Sequence, residues 1–324
     1  MQAITYHHYG TPDVLTLEDI PRRVPADDEV LVAVRAASVN PYDWHFMRGT
    51  PKVVRLFMGM GGPRFPGLGA DVAGVVESVG GKVTRFRAGD AVFGMARGAF
   101  AEFACAKESQ LAVKPESVSF EQAASLPIAG VTALQGLRDR ANVLPEQSVL
   151  INGAAGGVGT FALQIAKILG AEVTGVCSTH NVDLVLSLGA DHAIDYTRED
   201  FTRSMERYDA IFDLVGNRSL KDLRRVLRAR GVYVGCGGGG PDRGGGEMLR
   251  GMLELMLAGP FVSQKLTSVL ARVNADDLSK LSGWVAAGSL VPVLDRSYAL
   301  REVPEAIRYV ETCHARGKVT IAVA

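Results

Sequence analysis

The chemistry suggested most directly by this sequence lies in a glycine cluster and in the polar residues about twenty positions beyond it. Gly153, Gly156, Gly157 and Gly159 fall within seven residues, between the apolar run Val149-Leu150-Ile151 and a segment whose Phe161, Leu163, Ile165, Ala166, Ile168 and Leu169 give a helix its apolar side. Strand, glycine turn and helix together aim backbone N–H groups and a helix N-terminus at an anion, above all a phosphate. Aligned on its helix end, the dinucleotide pattern G-x-G-x-x-G would begin at Ala154, so its first glycine is missing and the turn reads A-A-G-G-V-G. Glycine turns also arise for steric reasons alone, so the surrounding elements must decide the reading.

Those elements are present. Glu172 to Cys177, Ala193 to Tyr196, Ala210 to Leu214 and Val232 to Gly235 read as strands, alternating with helices over 182–188, 201–207 and 219–226. Short strands alternating with helices predict a doubly wound parallel sheet, an α/β Rossmann domain. Its second strand ends in Ser178-Thr179-His180-Asn181 with no carboxylate before Asp183. A carboxylate there would accept hydrogen bonds from the ribose of NADH, whereas hydroxyls, an amide and an imidazole can donate to a 2′-phosphate. The pattern favours NADPH, and Ser178 and Thr179 can also cap the following helix.

The 324 residues allow two domains on a prior of roughly 150 residues each. The composition, 47% hydrophobic and 22% charged, is that of an ordinary globular protein. With 35 basic and 35 acidic residues there is no surplus to attract nucleic acid. The start carries no basic-then-apolar signal, and no uncharged apolar run reaches the ~18 residues of a membrane helix. The expectation is a cytoplasmic protein without membrane insertion. Cys105, Cys177, Cys236 and Cys313 lie far apart, which argues against a disulfide framework or a cysteine zinc site.

Residues 1–118 read as a small, mainly antiparallel β domain punctuated by glycine corners. Residues 235–246, GCGGGGPDRGGG, cannot form the interior of a strand or helix; at the end of a sheet strand they serve either a ligand or a surface loop. An apolar helix with Met248, Met252 and Met256 on one face is expected next. From Leu290 the chain returns to β character, with a helix over 304–315, and is expected to rejoin the first domain.

The ordered set Asn40-Pro41-Tyr42-Asp43, Gly69-Ala70-Asp71-Val72-Ala73-Gly74, Gly89-Asp90-Ala91-Val92, Leu126-Pro127, Gly130-Val131-Thr132-Ala133, Ala154-Ala155-Gly156-Gly157-Val158-Gly159, Leu188-Gly189-Ala190-Asp191 and Gly317-Lys318 spans nearly the whole chain. It resembles the zinc-independent, quinone-oxidoreductase-like branch of the medium-chain dehydrogenases/reductases. The resemblance implies a GroES-like, β-barrel-like catalytic domain of residues 1–120 and 262–324, and a Rossmann domain of residues 121–261. Zinc members carry Cys where this chain has Asn40 and His where it has Ala70, so no metal is expected.

For the cofactor, the resemblance implies that the phosphates rest on Ala155, Gly156, Gly157, Val158 and Gly159. It places Thr132 at the nicotinamide and Ser178, Thr179 and Asn181 at the 2′-phosphate. Tyr196 would flank the adenosine phosphate, Val215, Gly235 and Cys236 would border the ribose and nicotinamide, and Lys318 would contact the cofactor. Hydride transfer to a quinone or an α,β-unsaturated carbonyl needs a donor for the carbonyl oxygen and a proton. Asn40 is the expected donor or positioning residue, with Tyr42 close by and capable of giving a proton. His45 stands where several enone reductases carry Lys, and reads either as a cationic donor or as a surface histidine. Trp44, Phe46, Phe57, Met58 and Met60 wall an apolar pocket or belong to the core. An enoyl-thioester reductase and a non-catalytic NADPH-binding sensor are the alternatives. The partner implied is a small apolar quinone or carbonyl; relatives often form homodimers.

Overall fold

A computed structural model describes residues 1–236, 254 and 262–323. Its strands in chain order are β1 (Gln2–Thr5), β2 (Thr16–Asp19), β3 (Glu29–Val39), β4 (Asp71–Val79), β5 (Ala91–Met95), β6 (Phe103–Lys107) and β7 (Leu111–Val113). Then come β8 (Ser148–Asn152), β9 (Glu172–Cys177), β10 (His192–Asp195), β11 (Tyr208–Asp213), β12 (Leu227–Gly235), β13 (Lys265–Ser268), β14 (Leu294–Ala299) and β15 (Lys318–Ala322). Two compact units divide the chain: Met1–Val131 with Arg272–Gly288 and Leu294–Ala324, and Thr132–Ala271 with Ser289–Val293.

The first unit is organised on β3, whose EVLVAVRAASV sequence is rich in the branched residues that pack well on a pleated surface. β3 pairs antiparallel with β4, β6 and β15, and the sheet runs β14-β15-β3-β4-β5-β7 with only β14–β15 parallel. Register shifts at Leu31/Val32 and Val34/Ala36 mark bulges, the usual means of bending a strand. Val32, Val34, Val72, Val76 and Val92 form the core with Trp44 and Met47 of the Pro41–Arg48 helix. The Val303–Glu311 helix buries Val303, Ala306 and Ile307, one stripe at helical spacing, against the same core.

The second unit carries six parallel strands in the order β10-β9-β8-β11-β12-β13, the Rossmann order 3-2-1-4-5-6. Val149, Leu150 and Ile151 of β8 are fully buried, as a strand covered on both faces requires. The expected series stops at β12. The sixth strand, KLTS, is short and half polar and has no apolar run to reveal it. The helix expected over 201–207 is only a single turn, Phe201–Arg203. There the Arg207 guanidinium takes the carbonyls of Ser204, Met205 and Glu206, which a helix would have used for its own ladder. The glycine loop beyond Cys236 and the methionine helix of Met248, Met252 and Met256 lie outside the described residues.

Candidate active site

In the second unit the turn after β8 divides its work among its glycines. Gly153 adopts φ +88°, a left-handed conformation natural to glycine, and lets the chain leave the strand. A Cβ on Gly159 would stand 2.2 Å from the Gly153 carbonyl oxygen and 2.7 Å from Ala154, so this glycine lets the helix pack onto the strand. A Cβ on Gly156 would meet only the Gly153 oxygen at 3.5 Å, so its outer side is open. Gly156 caps the Gly157–Ile168 helix, whose first N–H groups lack intrahelical acceptors. A close-packing glycine beside an open one, at the N-terminus of a three-turn helix, fits a pyrophosphate.

The missing first glycine is compensated on the neighbouring strand. Ala154 is fully buried, and its methyl lies 3.1 Å from where a Cβ on Gly175 of β9 would stand. Ala154 occupies the space that Gly175 leaves, which explains how the turn accommodates a methyl.

At the end of β9, Ser178 and Asn181 are joined by a 3.1 Å bond from Asn181 Nδ2 to Ser178 Oγ, which leaves the serine proton free. Thr179 requires a correction. Its hydroxyl donates to Asp195 Oδ2 at 2.6 Å, so its proton is not available to a phosphate. Asp195, at the end of β10, also accepts from the Thr197 backbone and hydroxyl at 2.9 and 2.8 Å, and Arg198 lies at 3.3 Å. The Thr179 hydroxyl, with Thr197 and Arg198, holds the Asp195 carboxyl below its ordinary range. A carboxylate therefore does stand beside this turn, on the adjacent strand, where chain order conceals it. Tyr196 follows it, exposed.

Where the strand order reverses, between β8 and β11, Asp213 is buried and takes five hydrogen bonds that sequence reading did not anticipate. Its Oδ1 accepts from Asn152 Nδ2 (2.9 Å) and the N–H groups of Val215 (3.1 Å) and Gly216 (2.9 Å), its Oδ2 from the Tyr233 hydroxyl (3.0 Å), and its carbonyl from the Cys236 N–H (2.8 Å). Val215 in turn packs on Gly153, its Cγ2 2.8 Å from the position of an added Cβ. Burial and the Asp213 charge push the Cys236 thiol up to about 12, so it is neutral. Gly235 ends β12 at this edge, and Thr132 is buried in the Pro127–Gln135 helix.

In the first unit, Asn40 and Lys318 belong to one buried polar cluster. Lys318 Nζ donates to Asn40 Oδ1 (2.6 Å) and the Val39 carbonyl (3.2 Å) and lies 3.6 Å from Asp71. Asn40 Nδ2 donates to Asp71 Oδ2 (2.8 Å) and the Ser38 carbonyl (3.3 Å), and the Asn40 N–H donates to Asp43 Oδ2 (2.7 Å). All four side chains are buried, and both ends of the Asn40 amide are used. The expected role of Asn40 as a substrate donor is therefore corrected, and so is that of Lys318 as a cofactor contact: each is occupied by the other. Burial draws Lys318 down and Asp71 up toward their neutral forms, while their mutual attraction opposes it. Burial, reinforced by the Asp71 charge, raises Asp43 to about 8.

His45 is half-buried, stacked on Trp44 at 3.8 Å and bonded through Nδ1 to the Thr50 carbonyl at 3.2 Å. Burial lowers its pKa, so the imidazole is uncharged at neutral pH; it is neither a cationic donor nor a free surface histidine. Tyr42 is partly exposed, lies 4.1 Å from Phe46, and is pushed up to about 12 by burial and the Asp43 charge. Tyr42, Phe46 and Met58 line a cavity of about 580 Å³ within this unit. Trp44 is core, Met60 is exposed, and the Phe57 side chain lies outside the described ones.

Two family models match the chain: an alcohol dehydrogenase GroES-like domain over residues 26–116 and a zinc-binding dehydrogenase domain over residues 188–321. A 2-methylene-furan-3-one reductase of Solanum lycopersicum and an NADPH-dependent alkenal/one oxidoreductase of Arabidopsis thaliana are each 35% identical, over 99% of this chain and 79% of theirs. The solved quinone oxidoreductase of Coxiella burnetii is 32% identical, covers 100% of this chain and 99% of its own, and superposes with a TM-score of 0.88. The chain belongs to the quinone-oxidoreductase branch of the medium-chain dehydrogenases/reductases. It is an oxidoreductase that uses a nicotinamide cofactor, and it comprises a GroES-like domain and a Rossmann sheet. Neither Asn40 nor Ala70 is a residue type that usually ligates zinc. Among the described residues no His, Cys, Asp or Glu cluster could hold a metal ion, and no helix is long and apolar enough to cross a membrane. The glycine turn after β8 was plain in sequence; Asp213 carried no motif, and only the sheet brings its partners together.

Proposed function

We propose that this protein reduces quinones or α,β-unsaturated carbonyls with NADPH, without zinc. The observation that carries the reading is the turn at Gly153, Gly156 and Gly159, on the central strand of a Rossmann sheet, in a chain related to alkenal/one and quinone reductases. Gly156, Gly157, Val158 and Gly159 hold the pyrophosphate through backbone N–H groups. The preference for NADPH rests on Asp195 and Ser178. Three hydrogen bonds, from Thr179 and from the Thr197 backbone and hydroxyl, satisfy the Asp195 oxygens, so it does not compete for ribose hydroxyls, while the free Ser178 proton and the exposed Arg198 guanidinium receive a 2′-phosphate.

The bound nicotinamide supplies the hydride. Tyr42, kept neutral and partly exposed on the cavity wall, supplies the proton that the reduced acceptor takes up, and water reprotonates it. The test is loss of NADPH absorbance with a panel of quinones, enals and enones, repeated for Tyr42→Phe. Turnover with an enal, reduced about 100-fold or more in the variant, is the expected result. A variant as fast as the parent removes Tyr42 from the mechanism, and no turnover with any acceptor removes the reading.

A further inference from the structure

The cavity of the first unit carries more positive charge than it balances. Arg64 and Arg97 line it beside Tyr42, Phe46 and Phe65, and among the described residues neither guanidinium enters an ion pair. Lys107, also on the wall, is engaged by Asp28 at 3.4 Å, and Glu29, the wall's one carboxylate, accepts the Ala26 N–H at 3.1 Å.

The arrangement is held in place by the backbone around it. The Phe65 ring lies over two glycines: a Cβ on Gly67 would stand 2.7 Å from it and one on Gly98 3.1 Å. Arg97 lies over the same ring, 4.2 Å from its centroid, with Arg23 at 4.9 Å. The Arg97 backbone is fixed by its N–H to the Cys105 carbonyl at 3.2 Å, and its neighbours Ala96 and Gly98 bond the carbonyls of Ala70 (2.8 Å) and Gly69 (3.0 Å). Arg97 is the cation that bears on the phenols of both Tyr6 and Tyr42. A guanidinium pre-positioned in this way, with open donors in a partly enclosed space, attracts a carboxylate-like anion, and the tilted Tyr42–Phe46 pair offers a face to a planar ring.

We propose that the acceptor taken by this cavity is a planar aromatic or quinoid molecule bearing an anionic substituent, a carboxylate or sulfonate. Arg64 and Arg97 receive the anion while the ring lies against Tyr42 and Phe46. This rests on the reductase reading above and narrows its substrate class.

Calorimetric titration with 1-naphthoate and the neutral 1-naphthalenemethanol tests the site without turnover. Naphthoate binding roughly tenfold tighter at low salt, with the difference shrinking as salt is added, is the expected result. The double variant Arg64→Gln/Arg97→Gln loses that difference, and Arg64→Lys/Arg97→Lys keeps part of it. In parallel, the kcat/KM ratio of 1,4-naphthoquinone-2-sulfonate to 1,4-naphthoquinone falls about tenfold in the Gln variant. Equal binding of the two naphthalenes by the parent, or a preference unchanged in the Gln variant, overturns the proposal. Arginine-dependent naphthoate binding without reduction of either quinone leaves the anion site standing and removes the reductase reading instead.

Discussion

Lys318 Nζ donates a 2.6 Å hydrogen bond to Asn40 Oδ1, joining residues 278 positions apart in the chain. The bond ties the start of β15 to the turn that follows β3, on the far side of the inserted nucleotide-binding sequence. Two residues whose types suggest ligand chemistry are instead the polar fastening of one sheet. Their cluster holds one amine and two carboxyl groups away from water, so its stability depends on each member.

Lys318→Met removes the only cation of that cluster and leaves Asp71 and Asp43 buried without it. Breaking a buried pair by removing one partner costs about 3–5 kcal/mol. Urea unfolding of the first-unit transition is expected to show a loss of that size, with part of it regained when Asp71→Asn is added. A change below about 1 kcal/mol would mean that Asp71 is already neutral and its pair with Lys318 contributes little.

Asp43 makes the same cluster sensitive to pH. Its pKa is raised from 3.8 to about 8, so between those values the folded chain keeps a proton that the unfolded chain has released. Its contribution is complete below about pH 4, declines as pH rises, and is lost above about pH 8. Asp43→Asn keeps an oxygen to accept the Asn40 N–H and removes the titration. From pH 5 to pH 8 the parent should lose at least ~1.4 kcal/mol more stability than the variant, the equivalent of one pKa unit. Parallel stability curves would refute it.

Gly156 and Gly159 should separate binding from folding. Alanine at 159 drives a methyl into the Gly153 carbonyl and should lower the melting temperature of the second unit. Alanine at 156 meets nothing closer than 3.5 Å, so the melting temperature should stay while NADPH affinity falls by roughly tenfold or more. Nicotinamide fluorescence titration beside thermal unfolding reads both, and a Gly156→Ala chain with unchanged affinity would place the pyrophosphate elsewhere.

What the sequence made legible was what local pattern carries. Apolar runs at β8 and β9 and the glycine spacing locate the Rossmann sheet and its turn to within a residue or two. β13 stayed hidden because KLTS owes its strand state to an open sheet edge and to no pattern of its own. Thr179 and Asn40 looked like available donors because a sequence does not show which acceptors folding brings to them. Asp195 sits on the next strand and Lys318 near the chain's end, and each takes up a group that looked free. The pairing of Ala154 with Gly175 was hidden for the same reason, since two ordinary residues fit each other only once their strands are adjacent.

Asp213 gives the sharpest remaining test, because nothing in its sequence context marks it. Its side chain holds Asn152, Tyr233 and the N–H groups of Val215 and Gly216 at the point where the strand order reverses. Asp213→Ala removes the acceptor of the buried Tyr233 hydroxyl and leaves Asn152 Nδ2 with Asn217 Oδ1 at 3.2 Å, and one unsatisfied buried group costs about 1–3 kcal/mol. The loop that carries Val215 against Gly153 then loses its anchor, so NADPH affinity should drop roughly tenfold along with stability. Asp213→Asn retains an acceptor for the two N–H groups and should fall between parent and Ala, whereas Tyr233→Phe removes one bond and should cost stability with little change in affinity. If Asp213→Ala binds NADPH as the parent does, the loop is positioned by other contacts and Asp213 serves the sheet alone.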